Sequence, residues 1–146
     1  MPDATNSRQL VVFTLGAEHY ALPIQQVHEI IRYSEPRSVA SRADWVRGVI
    51  SLRGRIVPVY DLATRLGVPS ELTDETKIMI VEAGSEIAGV IVDGVEEVLT
   101  VQDEQLQEAP GADTTLIDSI AKIDTRLVVL LKPSAIFSEP DVALAA

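Results

Sequence analysis

The sequence predicts a mainly β protein, built from about nine or ten short strands. Valine and isoleucine together account for 31 of the 146 residues, and both favour strands. Short apolar runs recur with turn residues about every 8–12 positions, a spacing typical of small barrels or a sandwich rather than of alternating strands and helices. A chain of this length buries enough surface to fold without a disulfide or a metal.

The first predicted element is a hairpin. Strands over 10–15 and 19–22 flank a turn at Gly16, and Pro23 ends the second strand. Residues 24–33 have apolar side chains at helical spacing but could equally be extended. We therefore expect a short helical turn there that leads into a strand.

A second hairpin is predicted over residues 49–60, with its turn at Arg53-Gly54. Glycine supplies the positive φ that a two-residue hairpin turn requires. Pro58 cannot donate a ladder hydrogen bond, so its strand is expected at a sheet edge or beside a bulge. Residues 44–47, just before this hairpin, are predicted to form one turn of helix.

Two short helices are predicted, one in the middle of the chain and one near its end. Asp61 is expected to cap the start of the first helix and Gly67 to follow its last turn. Residues 70–76 are the best candidate linker, and 133–137 are predicted to form the second helix.

The second half of the chain repeats the strand pattern of the first. Strands are predicted over 77–81, 86–92 and 95–101, and a last hairpin over 116–131. Residues 103–115 are predicted to form a long acidic loop.

The distribution of charge argues against some partners. A net charge of −10 disfavours nucleic acid and anionic membrane surfaces, which need a basic protein face. Residues 1–73 carry a net charge of +1 and residues 74–146 a net charge of −11. This asymmetry indicates either two faces with different partners or simple solubility. No apolar run approaches the roughly 18 residues of a membrane span, so the cytoplasm is the expected location.

The residues do not contain a recognisable catalytic apparatus. Cysteine is absent, and the two histidines, His19 and His28, lie on different predicted elements. A metal site needs three or four ligands, and the common hydrolase, nucleotide and dinucleotide motifs are missing. Neighbouring carboxylates lie in acidic stretches typical of a solvated surface. The sequence therefore predicts no catalytic residue, no metal site and no cofactor.

Three polar or aromatic residues in the first half stand out. Glu29 lies among apolar neighbours, and Arg53 lies at the tip of the second hairpin. The two could form an ion pair or could face solvent separately, and spacing alone leaves both interpretations open. Trp45, the only tryptophan, is either a core residue or an interface anchor, and a core position is the favoured interpretation.

Five segments of the chain stand out as motifs: FTLG at 13–16, YALPI at 20–24, VHEI at 27–30, WVRGVISLRGRIVPVYDL at 45–62 and GVIVDGVEEVL at 89–99. In this order they resemble the CheW family, the adaptor of bacterial chemotaxis arrays. Ser51 stands where this family usually has Asn, and the turn at Asp124 lacks a Gly that is often found there. A short polar side chain at the first position, and an Asp that tolerates a left-handed turn at the second, are compatible with the family.

The resemblance implies two small five-stranded SH3-like β-barrel lobes, packed together with short helices. It places a single CheW-like domain at residues 8–137, with lobes of about 8–73 and 74–132. The ends, 1–7 and 138–146, are expected to be flexible.

The resemblance also implies a function. Members of the family are not enzymes. They couple the cytoplasmic tips of chemoreceptors, the methyl-accepting chemotaxis proteins, to the regulatory domain of the histidine kinase CheA. Such a protein would be cytoplasmic and recruited to receptor arrays at the inner membrane, without inserting into it. Alternatives are an adaptor for another chemosensory pathway, such as twitching motility, or a small-ligand-binding β-barrel.

Two sets of contact residues follow from the resemblance. Glu29 and Arg53 match an acid–arginine pair of the family, which favours pairing between them. Kinase contacts can be placed only loosely, in the second lobe, at Asp93, Gly94, Val95 and Leu99. A groove between the lobes is expected to hold the receptor, with contributions from Val27, Glu29, Arg53, Val90, Val92 and Val98.

Overall fold

The computed structural model describes residues 7–41, 43–111 and 115–137, and it confirms the mainly β fold class. Short 3₁₀ turns at Ile24–Gln26 and Asp103–Gln105 connect some of the strands. The elements are β1 (Ser7–Leu15), β2 (Glu18–Pro23), β3 (Val27–Arg32), β4 (Val46–Leu52), β5 (Arg55–Asp61), α1 (Leu62–Leu66), β6 (Lys77–Ala83), β7 (Glu86–Val92), β8 (Gly94–Gln102), β9 (Leu106–Gln107), β10 (Ile117–Ile123), β11 (Arg126–Leu131) and α2 (Pro133–Ile136).

The strands form two sheets, and each sheet curls back on itself. One has six strands in the order β8-β1-β2-β11-β10-β9, and the other has five in the order β3-β6-β7-β5-β4. In both sheets the two outermost strands are consecutive in the chain. The turn Asp103–Gln105 joins β8 to β9, and the segment 33–45 joins β3 to β4. Both outer strands of each sheet contribute to one apolar cluster, Val101 and Leu106 in the first sheet and Ile31 and Ile50 in the second, so each sheet takes a barrel-like shape.

The predicted lobe boundaries, 8–73 and 74–132, do not coincide with the sheets. Both sheets combine strands from both halves of the chain. The reason is two parallel pairings between distant strands: β2 with β11, where Tyr20 faces Val129, and β5 with β7, where Tyr60 faces Val90. Turn signals identify hairpins between consecutive strands, but they carry no information about parallel pairs that need a long crossover.

Three apolar clusters stabilise this arrangement. One lies within the six-stranded sheet and includes Leu10 and Val128, and another lies within the five-stranded sheet and includes Ile78. The third, the inter-sheet core, packs the two sheets together and includes Phe13 and Trp45. These clusters bury the apolar faces of both sheets and pack the two barrel-like units against each other.

Trp45 is a core residue, as favoured from the sequence. Its side chain is only 7% exposed. Its ring meets Tyr60 edge-on at 5.1 Å between centroids, and the guanidinium of Arg65 lies 4.1 Å from the indole centroid. Aromatic and cation–π contacts of this kind stabilise a buried indole beyond its area burial.

The local structure around the second hairpin confirms some predictions and corrects others. Arg53 and Gly54 both have positive φ, 51° and 83°, as a two-residue turn requires. The helical turn expected at 44–47 is wrong, because Val46 already pairs with Tyr60 in the β4–β5 ladder.

Pro58 was expected on an edge strand or beside a bulge. The edge position is wrong, since β5 is flanked by β4 and β7, whereas the β4–β5 ladder does have an irregularity between Val46 and Gly48, one pair away from Pro58. Pairing with β7 begins at Val59, one residue beyond the proline. The imino nitrogen of Pro58 therefore interrupts no ladder bond to β7.

The predicted helices are present, whereas the predicted acidic loop is partly structured. The Asp61 carboxylate caps α1 by accepting from the Thr64 N–H at 3.1 Å, and Gly67 follows the helix with a φ of 75°. Within the stretch predicted as an acidic loop, residues 103–107 form a 3₁₀ turn and the short strand β9. Among the described residues, no helix has the length and apolarity needed to cross a bilayer.

Candidate functional site

Glu29 and Arg53 form a bidentate ion pair on the surface of the five-stranded sheet. Arg53 Nη1 donates to Glu29 Oε1, and Nη2 donates to Oε2 at 3.0 Å. Glu29 lies on β3 and Arg53 in the β4–β5 turn, and β3 and β4 are the outer strands of that sheet. The pair predicted from the resemblance is confirmed, and it links the two ends of the curled sheet.

The two partners differ in exposure. The Arg53 side chain is 69% exposed and that of Glu29 only 23%. The carboxylate therefore holds the guanidinium in one orientation while most of the arginine surface faces solvent. An arginine that is oriented before binding loses less conformational freedom when it meets a partner.

The ion pair also shifts the pKa values of both groups. The hydrogen bond from Arg53 lowers the pKa of Glu29 below its ordinary value of 4.5, and burial partly opposes this shift. The same hydrogen bond raises the pKa of Arg53. Both groups therefore remain charged at neutral pH.

This lowered pKa predicts a pH dependence of stability. The pair stabilises the folded state at pH values above 4.5, the ordinary pKa, and this contribution disappears as the pH falls through the lower folded-state pKa. Between about pH 6 and pH 3, wild type should lose more stability than Glu29→Gln. Thermal denaturation of both proteins across this range measures the difference. Parallel curves for the two proteins would show that Glu29 titrates alike in the folded and unfolded states.

Two of the predicted groove residues are inaccessible. Val90 and Val92 are 0% exposed and belong to the inter-sheet core, so their side chains cannot contact a partner. Both faces of β7 are covered: Val90 and Val92 lie in the inter-sheet core, and Ile91 on the opposite face lies in the cluster of the five-stranded sheet. Such strands appear as continuous apolar runs in a sequence, a pattern that does not distinguish a core strand from a groove wall.

The remaining groove residues reach the surface to different degrees. Val27 is half-buried against the inter-sheet core, whereas Val98 on β8 is 51% exposed. Val98 belongs to the six-stranded sheet, and the Glu29–Arg53 pair belongs to the five-stranded sheet. A groove that includes all four accessible residues therefore spans both sheets.

The predicted kinase-contact residues have packing roles in the structure. The Asp93 carboxylate accepts from the Gly16 N–H at 2.6 Å and from the Ser70 hydroxyl. Through these hydrogen bonds, Asp93 connects the junction of β7 and β8 to the β1–β2 turn and to the predicted linker at 70–76. Val95 packs on the inter-sheet core and Leu99 on the core of the six-stranded sheet.

The backbone around Gly94 is held as well, since Thr14 Oγ1 donates to its carbonyl oxygen at 3.5 Å. β8 is an outer strand of the six-stranded sheet. Its outer edge, rather than the side chains of Val95 and Leu99, is the part of this segment open to a partner.

Sequence reasoning missed an exposed apolar residue on the second hairpin, three positions from Arg53. Ile56 on β5 is 74% exposed and borders a shallow hollow of about 410 Å³ that also includes Arg37 and Ile50. The signal was present in the alternation of the strand, because an inward-facing Val57 places Ile56 on the outer face. A hairpin that carries both an exposed apolar side chain and an oriented arginine has the residue types typical of protein interfaces.

Other polar contacts missed from the sequence link strands of the same sheet, some of which are not neighbours. Arg47 donates to Asp61 at 2.7 Å, and Arg126 donates to Glu97 at the same distance. His19 lies 3.3 Å from Glu96. Among the described residues, no three His, Asp or Glu side chains form a group that could hold a metal ion.

Comparisons with known proteins agree with this architecture. A family model described as the CheW-like domain matches residues 9–141. The chain is 32% identical over 145 residues to "Chemotaxis protein CheW" of Klebsiella aerogenes, covering 96% of this chain and 87% of that protein. It is 34% identical over 136 residues to the protein of the same name from Bacillus subtilis, covering 90% and 87%. A shorter similarity, 31% over 94 residues, covers 64% of this chain and 53% of "Protein PilI" from Pseudomonas aeruginosa.

A solved structure gives the same result for the fold. The scaffolding protein TtCheW from Thermoanaerobacter tengcongensis superposes with a TM-score of 0.85 at 32% identity, covering 91% of this chain and 89% of that one. One assignment accounts for the two curled sheets, the Glu29–Arg53 pair and the family match along nearly the whole described chain. The chain belongs to the CheW family of scaffold and adaptor proteins.

Proposed function

We propose that the protein is a non-enzymatic adaptor of chemotaxis, coupling the cytoplasmic tips of chemoreceptors to the regulatory domain of the histidine kinase CheA. The observation that carries this proposal is the family match along nearly the whole chain. Similar proteins bear the names chemotaxis protein and scaffolding protein. The proposal assigns no chemical reaction to the chain. Its work is to transmit a change from one bound protein to another.

An adaptor needs two separate binding surfaces, and the chain offers two candidates. We place the receptor at the groove that includes Val27, Glu29, Arg53 and Val98, and we add Ile56 to it. The exposed side chain of Ile56 and the oriented guanidinium of Arg53 support this placement, because protein interfaces commonly combine apolar contacts with arginine.

The kinase is placed at the segment of Asp93, Gly94, Val95 and Leu99. The support is the outer position of β8 in its sheet, where a backbone edge lies open. The acidic side chains of β8, Glu96 and Glu97, give this surface a different charge from that around Arg53. Each interface can be weak, because an array raises the effective concentration of every partner.

The proposal also places the protein in the cell. An adaptor of this kind works in the cytoplasm, where receptor tips and the kinase meet, and is recruited to arrays at the inner membrane. Contact with the membrane would be indirect, through the receptors. The acidic net charge of −10 supports protein partners over nucleic acid or lipid.

Kinase activity in a reconstituted mixture tests the receptor site. With receptor membranes and CheA, the wild-type protein should make phosphorylation receptor-dependent. Arg53→Ala should weaken this coupling about tenfold or more, as the loss of a central interface residue does. Arg55→Ala, which removes an exposed arginine two positions away, is the matched control and should couple like wild type.

Two outcomes would contradict the assignment. If folded Arg53→Ala couples as well as wild type, the receptor does not use this surface. If wild type has no effect with a competent receptor and kinase, the adaptor serves other partners. Circular dichroism of each variant establishes that the protein is folded.

A second candidate is an adaptor for another chemosensory pathway, such as twitching motility. The similarity to Protein PilI is the observation that favours it. Pull-down of the organism's CheA-like kinases with the purified protein distinguishes the two candidates, since the adaptor should retain its own kinase at the lowest concentration.

A further inference from the structure

A hollow on the five-stranded sheet brings two cations face to face. Arg32, the last residue of β3, is the direct partner of Lys77, the first residue of β6, in the antiparallel ladder. Like charges placed directly opposite each other destabilise an antiparallel pair. Among the described residues, neither side chain has a carboxylate within 4.0 Å. Within the described residues, the fold therefore places two cations opposite each other with no ion pair to either of them.

Hydroxyl groups surround these two cations. Thr73 Oγ1 accepts from the Glu75 N–H at 3.1 Å, and Thr76 Oγ1 accepts from the Thr73 N–H at 2.9 Å. In both residues the hydroxyl hydrogen remains able to donate. The hollow has a volume of about 390 Å³ and is lined by Arg32, Tyr33, Thr73, Asp74, Thr76 and Lys77.

The tyrosine adds a further donor. Burial raises the pKa of Tyr33, and the nearby Glu35 raises it further, so the phenol stays protonated at neutral pH. The wall of the Arg32–Lys77 hollow thus presents a fork of guanidinium donors, an ammonium and three hydroxyls. Asp74 is the single acid in this lining, and its charge opposes an anion.

We propose that the Arg32–Lys77 hollow is a binding site for a tetrahedral oxyanion, namely a phosphate group. Guanidinium matches two phosphate oxygens at once, and lysine adds a point charge. A bound phosphate would neutralise the charges of the two cations, and its oxygens would accept hydrogen bonds from the hydroxyl groups. None of its lining residues is among those assigned to the receptor or the kinase. Its ligand is either free phosphate or a phosphorylated side chain of a partner protein.

Thermal denaturation of the full chain at low ionic strength gives the first test. Without phosphate, Arg32→Gln and Lys77→Gln should each raise the melting temperature, because each removes the cross-strand repulsion. Arg55→Gln makes the same change of charge on an exposed arginine of β5 and should leave the melting temperature nearly unchanged. If both Arg32→Gln and Lys77→Gln melted at a lower temperature than wild type, the proposal would be wrong. The two cations would then stabilise the folded state instead of repelling each other.

Binding gives the second test. Sodium phosphate, compared with sodium chloride at equal ionic strength, should raise the melting temperature of wild type and of Arg55→Gln. Calorimetric titration should show about tenfold weaker phosphate binding to Arg32→Gln and to Lys77→Gln, the loss expected for one charge-assisted contact. Asp74→Asn should bind phosphate more tightly than wild type. Equal affinities in all of these proteins, or no binding to wild type, would refute the site.

A peptide containing phosphoserine distinguishes the two sources of the ligand. Tighter binding of this peptide than of inorganic phosphate would identify a phosphorylated partner. Equal or weaker binding of the peptide would identify free phosphate, and the unphosphorylated peptide serves as the control.

Discussion

Replacement of Gly48 by alanine is expected to destabilise the protein more than any other single methyl addition. Gly48 has a φ of +143°, in a region that other residues rarely adopt. A Cβ atom placed there would lie 2.0 Å from the carbonyl oxygen of Arg37. That carbonyl cannot withdraw easily, because Arg37 and Val49 exchange two backbone hydrogen bonds of 2.8 and 2.9 Å.

The expected loss in the free energy of unfolding is about 3 kcal/mol or more, since backbone strain alone costs about 1–3 kcal/mol and the collision adds to it. Denaturant titration measures this loss. Gly54→Ala is the matched control, because Gly54 also has a positive φ but a Cβ atom added to it would have no atom within 4 Å. We expect about 1–2 kcal/mol for that variant. Equal losses for the two variants would show that the close approach of Arg37 is unimportant.

Val90→Asp is expected to unfold the protein, whereas Val98→Asp is expected to leave it folded. Val90 is fully buried in the inter-sheet core, where it faces Met79 on β6 and Tyr60 on β5. An unpaired carboxylate at such a position costs several kcal/mol, comparable with the roughly 5–15 kcal/mol that stabilises a typical domain. Val98 is 51% exposed, and its replacement should change stability by less than about 1 kcal/mol.

The same pair of variants separates a role in packing from a role in binding. Circular dichroism and the melting temperature should identify Val90→Asp as unfolded and Val98→Asp as native. In the reconstituted kinase assay, folded Val98→Asp should then show weaker receptor coupling, because a charge would enter an apolar contact. Normal coupling by Val98→Asp would remove this residue from the groove. A folded Val90→Asp would contradict the assignment of Val90 to the core.

The candidate site could be predicted from the sequence only in part. Glu29 and Arg53 were identified because charges stood out among apolar neighbours and matched a family motif, and the structure confirms their pairing. The same resemblance also indicates Val90 and Val92, but their burial depends on the packing of β7 against the other sheet. Ile56 was missed because an isoleucine in a strand is normally assigned to the core.

Features that depend on neighbouring residues were predictable from the sequence. The turn at Arg53-Gly54 and the Asp61 cap of α1 follow from side chains within a few positions, and both are confirmed. The β-rich fold class can also be predicted from the sequence, because strand propensity and turn spacing are local properties. The resemblance to the CheW family belongs with these features, since its motifs are continuous segments.

Tertiary structure alone decided which strands pair across the chain and which surfaces remain open. The parallel pairs β2–β11 and β5–β7 mix the two halves of the chain, so the predicted lobe boundary does not divide the sheets. Long-range pairing also places Lys77 opposite Arg32, buries Val90 and brings Asp93 to Gly16. These contacts join residues that are distant in sequence, and their energies depend on packing between whole sheets. Local propensity and hydrophobic period contain no such information.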